Sequence, residues 1–389
     1  MAALAQQEPQ LDAAGAEEVI DAIAAATGRS FLLLACLALS PALPAQTPQD
    51  APNPQALLAQ LRAADLTLAA ATTASEPLRI QSTSIRLQAS DLLRAAFLTR
   101  LDKHTKAVDN LAKDVERASA TVLKRVDQQA EARVEELRVL QRTVTRRQDL
   151  SKEMIVRELD PGVDELRAIL LPTPEQVLAA DPQIAGARTE RQQERRELAA
   201  WFALYVAMLD GFDINPDAQK HLEKTPPPDA PLPPQQLDAE FEEWLLLGLP
   251  LSARDRRTVQ ENALLRGKID REEYAGTRAL NVLRYLLGLP MVRIDLKLGD
   301  AARDHSRDMV KLGFFDHTSP VPGKGTFGER AGRFGTSASS ENIAAGQETG
   351  PGAITAWWHS PGHHRNMLGN HGRTGLGRDA ATWTQLFGG

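Results

Sequence analysis

Two histidines and one glutamate in the last third of the chain are residue types suited to acid–base or metal chemistry. His317 lies in the string GFFDHTSP, Glu341 in SENIAAG and His363 in WWHSPGHHRNML. Each string places an ionisable side chain beside large apolar ones, which is costly unless the polar group has a partner or a task. Two imidazoles and a carboxylate can bind a divalent metal such as zinc, and they are also general acids and bases. Because the three residues are far apart in sequence, only the tertiary fold can bring them together.

The sequence around His363 gives the most specific local expectation. Ser360 followed by Pro361 is typical of a helix N-cap and a first helical position, which places His363 in a first turn. The dipole of such a helix would lower the pKa of His363 and favour a neutral imidazole. The next residue, His364, alternates away from this position and is expected to be exposed.

The elements around these residues are predicted from apolar periodicity. REEYAGTRALNVLRYLLGL and KLGDAARDHSRDMVKLG predict two helices, the first ended by Gly288 and the second by Gly313. His305 lies on the apolar face of the second helix, so we expect a buried structural histidine there. ENIAAG predicts a strand, and TGLGRDAATWTQLFG predicts a β-hairpin. Of Trp357 and Trp358, one is expected in the core and the other at a rim.

Six strings in this region resemble, in the same order, those of the CAP superfamily in its bacterial, cysteine-free form. They are EYAGTRALNVLRYLLGLP, AARDHSRDM, FFDHTSP, SENIAAG, SPGHHRNML and TGLGRDAATWTQLFG, and they lie within residues 269–389. The resemblance implies an α–β–α sandwich with a cavity lined by two histidines and two acidic residues. His317, Glu341 and His363 match three of those positions. The fourth acid falls at Ser360 in this sequence, and Glu348 and Glu329 are the nearby acids that could replace it.

Three functions follow from these residues. The first, which the resemblance favours, is a non-enzymatic module that binds an envelope lipid or polymer in the cavity lined by His317, Glu341, His363 and Ser360. The second is a metal-dependent hydrolase in which His317, Glu341 and His363 hold zinc and activate a water. The third is a structural scaffold of the envelope. The sequence contains no HExxH or GxSxG string and no cysteine in this region, which favours the binding module.

Composition and the N-terminal sequence indicate export. The net charge of −6 in 389 residues gives no basic footprint for nucleic acid, and the single cysteine, Cys36, excludes an internal disulfide framework. Residues 29–45 have one arginine, an apolar run and a small-residue end, which predict a signal peptide cleaved after Ala45. We therefore expect a secreted, periplasmic or cell-envelope protein with no transmembrane segment after cleavage. The acidic extension 1–28 suits no signal peptide, which suggests that translation starts further in.

The middle of the chain is predicted to be helical. A Pro-rich spacer at 46–55 precedes a helical or coiled-coil domain over 56–223, and residues 78–160 contain neither Gly nor Pro. The apolar stripe of that run needs a partner, either in an antiparallel hairpin within the chain or in a homodimer. The Pro-rich linker 224–236 and a connector of two short helices at 237–268 complete an α+β chain. The stripe consists of Val108, Leu111, Val115, Ala118, Val122, Val126, Ala130, Val134, Leu137, Leu140 and Val144.

Overall fold

The structure is a computed structural model, and it describes residues 76–209 and 239–389. The described part is mostly helical with a small mixed sheet, which confirms the α+β class. The extension 1–28, the predicted signal 29–45, the spacer 46–55 and the linker 224–236 lie outside the described residues. The N-terminal helices are α1 (Glu76–Leu123), α2 (Gln128–Thr145), α3 (Lys152–Met154), a π-helical turn (Ile155–Leu159), α4 (Asp160–Leu170), α5 (Pro174–Ala180) and α6 (Gln183–Leu209). The C-terminal elements are α7 (Ala239–Leu247), α8 (Ala253–Ala263), α9 (Arg271–Leu286), β1 (Arg293–Ile294), α10 (Leu296–Leu312), α11 (Phe327–Arg333), β2 (Ser340–Ala345), α12 (Gly350–Trp358), α13 (Pro361–Met367), β3 (Arg373–Asp379) and β4 (Thr382–Gly388).

The chain divides into two compact units. Among the described residues, one consists of 76–111 and 183–209, and the other of 112–182 and 239–389. The helices of 112–182 therefore group with the C-terminal elements, whereas the sequence had grouped them in one helical domain over 56–223. In the first unit, His104 is buried on α1, and its Nδ1 lies 2.9 Å from the Oε2 of Glu194 on α6.

The run 78–160, which contains no Gly or Pro, is divided into several helices. α1 ends at Leu123, and α2 begins after Asp127, whose carboxylate accepts a hydrogen bond from the Ala130 amide at 2.9 Å. A second break follows α2, where the Ser151 hydroxyl accepts from the Met154 amide at 3.3 Å. Short polar side chains of this kind bond to backbone amides and so start new helices without any Gly or Pro. Two N-caps thus divide the run.

α2 and the segment from α3 to α4 form an antiparallel hairpin, residues 128–170, which we call the α2–α4 hairpin. Arg133 on α2 donates from Nε and Nη2 to the two oxygens of Glu165 on α4, at 2.7 and 2.9 Å. This is the intrachain alternative that the sequence left open for part of the helical region. A homodimer through a coiled coil stays a prediction.

The apolar stripe is confirmed over much of its length but shifts by one residue in the hairpin. Leu140, predicted to be buried, is 41% exposed, and its neighbour Gln141 is 2% exposed. Gln141 Nε2 donates to the carbonyl of Leu159 at 2.8 Å, at the end of the π-helical turn. A buried amide with this hydrogen bond satisfies a carbonyl that leucine could not. The stripe residues that are buried are Leu111, Val115, Ala118, Val122, Val134, Leu137 and Val144.

The C-terminal sheet has four strands in the order β1-β3-β4-β2. β1 pairs with β3 in parallel, and β3 with β4 and β4 with β2 are antiparallel. The predicted hairpin is confirmed, with Asp379 opposite Thr382 and Ala380 at φ 49 in the turn. β2, the predicted ENIAAG strand, lies at one edge of the sheet.

One face of the sheet is covered by α10 and α11. α10 lies directly on β3, because a Cβ at Gly375 or Gly377 would come within 2.1 Å of the amide of Gly299 or Arg303 on the helix. The helix ends at Gly313, which has φ 69 and caps it through its amide to Met309 O, as the sequence predicted. The apolar core on this face comprises Leu298, Ala301, Ala302, Ala331 and Leu386.

The other face is covered by α9, α12 and α13, and the α2–α4 hairpin packs outside them. One apolar cluster contains residues of the sheet, of these helices and of the hairpin, so the hairpin shares a core with the sandwich. α7 and α8 are the two short helices predicted for the connector. Among helices in residues 76–209 and 239–389, none is both long enough and apolar enough to cross a membrane.

Candidate functional site

The loop that carries His317 is held in place by His305. The loop follows Gly313, and the ring of Phe314 lies against the ring of His305, with centroids 5.9 Å apart. His305 is fully buried, and its Nε2 donates to the carbonyl of Asp316 at 3.0 Å. Burial lowers the pKa of His305. The expectation of a structural histidine is therefore met, and its task is to fix the backbone immediately before His317.

Glu341 on the edge strand β2 is buried and has a partner on each oxygen. His317 Nδ1 lies 2.9 Å from Oε1, and the guanidinium of Arg330 donates to Oε2. The Arg330 side chain is fully buried in α11, and it also donates to the carbonyls of Lys324, Gly325 and His317. Both oxygens of the carboxylate are thus used inside the protein.

His317 is oriented by that carboxylate. Because a carboxylate only accepts, the Nδ1 of His317 carries the proton and Nε2 is the end of the ring left for other partners. The hydrogen bond to Glu341 raises the pKa of His317, and partial burial opposes this in part. The side chain is 51% exposed, so an imidazole that is readily protonated faces solvent.

His363 lies beside His317, as the residue types suggested. It is in the first turn of α13, after Ser360 at the N-cap position and Pro361, and the two imidazole centroids are 6.2 Å apart. Its pKa is lowered, in the direction expected from the sequence. The cause differs, however: burial is the largest contribution and the positive charge of His317 adds to it. The structure therefore brings together His317, Glu341 and His363, which we call the two-histidine site.

The fourth acid of the family pattern is not replaced by the nearby candidates. Glu329 belongs to the capping box of α11, where its Oε2 accepts from the Thr326 amide at 2.8 Å. Glu348 is exposed in the loop after β2. Ser360 occupies the N-cap position of α13, but its hydroxyl makes no cap bond, contrary to the expectation that capping explains it. Within the described residues, no three side chains of His, Cys, Asp or Glu converge as a metal site.

Several residues that support the site were missed in the sequence. Asn366 on α13 donates from Nδ2 to the carbonyl of Glu341 at 3.0 Å and to Asn342 Oδ1 at 2.9 Å. Trp357 Nε1 donates to the carbonyl of Ile343 at 2.9 Å. The bonds to the carbonyls of Glu341 and Ile343 satisfy backbone acceptors of an edge strand that has no further strand beside it. Asn366 and Trp357 lie in the same string as His363, whereas nothing local marked Arg330 as a buried partner.

Two expectations about side-chain exposure were wrong. His364 is fully buried, and its Nε2 accepts from the Thr145 hydroxyl at 3.0 Å while Nδ1 donates to Trp358 O at 2.9 Å. Burial lowers the pKa of His364 to about 4. Trp357 and Trp358 are 1% and 6% exposed, so both are core residues. The reason is the α2–α4 hairpin, which covers this side of α12 and α13.

Comparison with known proteins assigns the region that contains this site. Residues 277–378 match the profile of CAP, the cysteine-rich secretory protein family. Over 110 residues the chain is 36% identical to the uncharacterized protein YkwD of Bacillus subtilis, covering 28% of this chain and 43% of that protein. Over 108 residues it is 32% identical to the uncharacterized membrane protein YlbC of the same organism, covering 28% of this chain and 31% of that protein. The chain thus spans less than half the length of these relatives.

A solved structure is also similar. It is an extracellular protein containing a SCP domain from Bacillus anthracis, with 29% identity and a TM-score of 0.28 over 36% of this chain and 44% of that one. The family match, residues 277–378, includes the elements that carry the two-histidine site. The C-terminal third of this chain is therefore a CAP domain of the cysteine-rich secretory protein family.

Proposed function

We propose that the CAP domain is a non-enzymatic binding module that takes an anionic group at the two-histidine site. The observation that carries this proposal is that both carboxylate oxygens of Glu341 already have partners within the protein. One carboxylate oxygen accepts from buried Arg330 and the other faces the Nδ1 of His317. The charge of this carboxylate is balanced by Arg330, and its bond to Nδ1 holds His317 in one orientation.

The chemistry of the exposed ring favours an anion. The raised pKa of His317 keeps its imidazolium populated at a higher pH than usual, and its Nε2–H then becomes a charge-assisted donor. His363 is held neutral beside it and offers a second ring nitrogen at short range. A phosphate or carboxylate group can accept a hydrogen bond from each of the two rings. Such groups occur on envelope polymers and on lipid headgroups, the two ligand sources expected from the sequence.

The residues present do not fit a protein-held zinc. His317 and His363, with ring centroids 6.2 Å apart, supply two possible metal ligands, and a structural or catalytic zinc takes at least three protein ligands. Glu341, the third ligand expected from the sequence, already bonds to His317 through one oxygen and to Arg330 through the other. The two histidines alone therefore do not support a metal-dependent hydrolase, which stays an alternative that a zinc titration tests.

Location and assembly are part of the proposal. The predicted signal at 29–45 supports a secreted or cell-envelope protein, in which the helical region preceding the CAP domain would act as a stalk. That stalk can be a monomer or a homodimer through α1, and sedimentation of the purified protein distinguishes the two. A scaffold without a ligand is the remaining alternative, and it predicts no binding at the histidines.

The test is calorimetric titration of the full chain with inorganic phosphate at pH 6 and pH 8. We expect binding at pH 6 that weakens at pH 8, since deprotonation of His317 removes the charge. His317→Gln and His363→Gln should each weaken binding by about tenfold, the value of one charge-assisted hydrogen bond. Arg307→Gln is the matched control, because it removes a positive charge from an exposed position on α10. Absence of binding, or equal weakening in the control, would contradict the proposal.

Two further arms identify the source of the anion and test the alternative. Vesicles of phosphatidylglycerol in phosphatidylcholine represent a lipid surface, and poly(glycerol phosphate) represents an envelope polymer. The source of the anion is the one whose binding weakens in the His317→Gln and His363→Gln variants. A zinc titration runs beside them. Tight binding at one equivalent that is lost in the double variant His317→Gln/His363→Gln would support the hydrolase instead.

A further inference from the structure

The segment that carries His363 is bonded to the α2–α4 hairpin on its N-terminal side. Asp160, the first residue of α4, accepts from Trp358 Nε1 at 2.7 Å through one oxygen. Its other oxygen lies 2.9 Å from His359 Nε2. Trp358 ends α12 and His359 follows it directly, so one carboxylate fixes the chain just before α13 begins.

The hairpin is bonded to the same segment on its C-terminal side. Thr145, the last residue of α2, donates to the Nε2 of buried His364 at 3.0 Å. In the turn after α2, the carbonyl of Arg147 accepts from Arg365 Nη2 at 2.7 Å. His363 is therefore flanked in sequence by residues that the hairpin holds on both sides.

The two adjacent histidines, His363 and His364, point in different directions. Successive residues of a helix point about 100° apart, because 3.6 residues make one turn. His364 points to the hairpin, where it is fully buried, and His363 points to His317. α13 has only seven residues, so its orientation depends on contacts with neighbouring elements. The hairpin supplies those around His363, and Asn366 near the end of the helix bonds to β2.

We propose that the α2–α4 hairpin positions His363 in the two-histidine site, so that Thr145 and Asp160 are positioning residues of the CAP-domain site. The site is then completed by chain outside the matched family region, residues 277–378. This inference rests on the proposed function of the two histidines in binding an anion. Its first readout needs no ligand, however, so the two proposals can fail separately.

The test is NMR titration of the histidine rings in the full chain and in three variants. Thr145→Val removes the donor to His364 at nearly constant volume. Asp160→Asn removes the charge that faces His359 and keeps an acceptor for Trp358. Arg133→Gln is the control, since it breaks a bond between α2 and α4 that does not touch α12 or α13.

We expect the first two variants to move His363 toward water and away from His317. Its pKa should rise toward the ordinary histidine value, because burial and the charge of His317 then lower it less. The pKa of His317 should stay raised, because its bond to Glu341 is untouched. Binding of inorganic phosphate should weaken in parallel by about threefold.

An unchanged His363 titration in both folded variants would overturn the inference, and so would an equal shift in Arg133→Gln. Circular dichroism reports whether each variant is folded. If one of the two does not fold, the other decides the outcome. A shifted titration with no phosphate binding in any protein would leave the positioning intact and refute the proposed function alone.

Discussion

Replacing Arg330 by methionine tests the buried ion pair on which the interpretation of the site depends. Arg330 and Glu341 have side chains 0% and 1% exposed, and their bond is the one that neutralises the carboxylate. Methionine fills much of the volume of arginine but leaves Glu341 with His317 as its remaining polar partner. It also removes the donor to the carbonyls of Lys324, Gly325 and His317.

The expected cost is large. Removing one partner of a buried ion pair destabilises by about 3–5 kcal/mol, because the other charge is left buried. The cost should depend on pH. Below the raised pKa of His317 its imidazolium still faces Glu341, and this positive charge is lost as pH rises through that pKa. The variant should therefore be less destabilised at pH 5.5 than at pH 8.

The assay is urea unfolding of the full chain followed by tryptophan fluorescence, in the wild type, Arg330→Met, Glu341→Gln and the double variant. We expect the double variant to be more stable than the sum of the single effects by about 2–3 kcal/mol, the coupling of a contacting pair. Additive effects, or equal destabilisation by Arg330→Met at both pH values, would refute a charged pair at this site. Arg330→Lys, which keeps the charge, serves if Arg330→Met does not fold.

Three further predictions follow from the packing. The folded pKa of His364 is about 4 against 6.5, so stability should fall between pH 6.5 and 4 by about 3 kcal/mol, and His364→Gln should flatten this slope in urea unfolding at several pH values. Gly377→Ala should cost more than about 3 kcal/mol in urea unfolding, because its Cβ would meet the backbone of α10, whereas Gly362→Ala, with nothing within 4 Å, should be neutral or stabilising. Trp357→Phe should cost about 1–3 kcal/mol in thermal unfolding, since it leaves the edge carbonyl of Ile343 without its donor.

Local sequence determined the helices and turns of the C-terminal domain. Gly288 and Gly313 adopt φ 70 and φ 69, a backbone conformation that residues other than glycine rarely adopt. The ends of α9 and α10 were therefore predictable. The alternation in β4 gave its two faces, because Leu386 packs under α10 while Trp383 and Phe387 pack under α9 and α12. These features depend on neighbours in sequence.

Capping was the local signal that the prediction overlooked. Asp127 and Ser151 are N-caps that begin new helices inside the long run, although Gly and Pro are absent from it. Because the apolar stripe continues past both residues, the stripe alone does not reveal an N-cap at either position. The apolar periodicity was real, but the same spacing is compatible with one helix or with several that pack on each other.

The chemistry of the site was half determined by the sequence. Residue types identified His317, Glu341 and His363, and the fold brings them together. Whether Glu341 is a free ligand or a neutralised orienting group depended on Arg330, which comes from another helix.

The burial of His364 was decided only by tertiary structure. It depends on Thr145, which is 219 residues away in sequence. Burial and ion pairing depend on which surfaces meet, and no local pattern carries that information when the partners come from distant parts of the chain. The sequence by itself therefore determined which residues can do chemistry, and the packing of the α2–α4 hairpin and α11 decided which of them are free to do it.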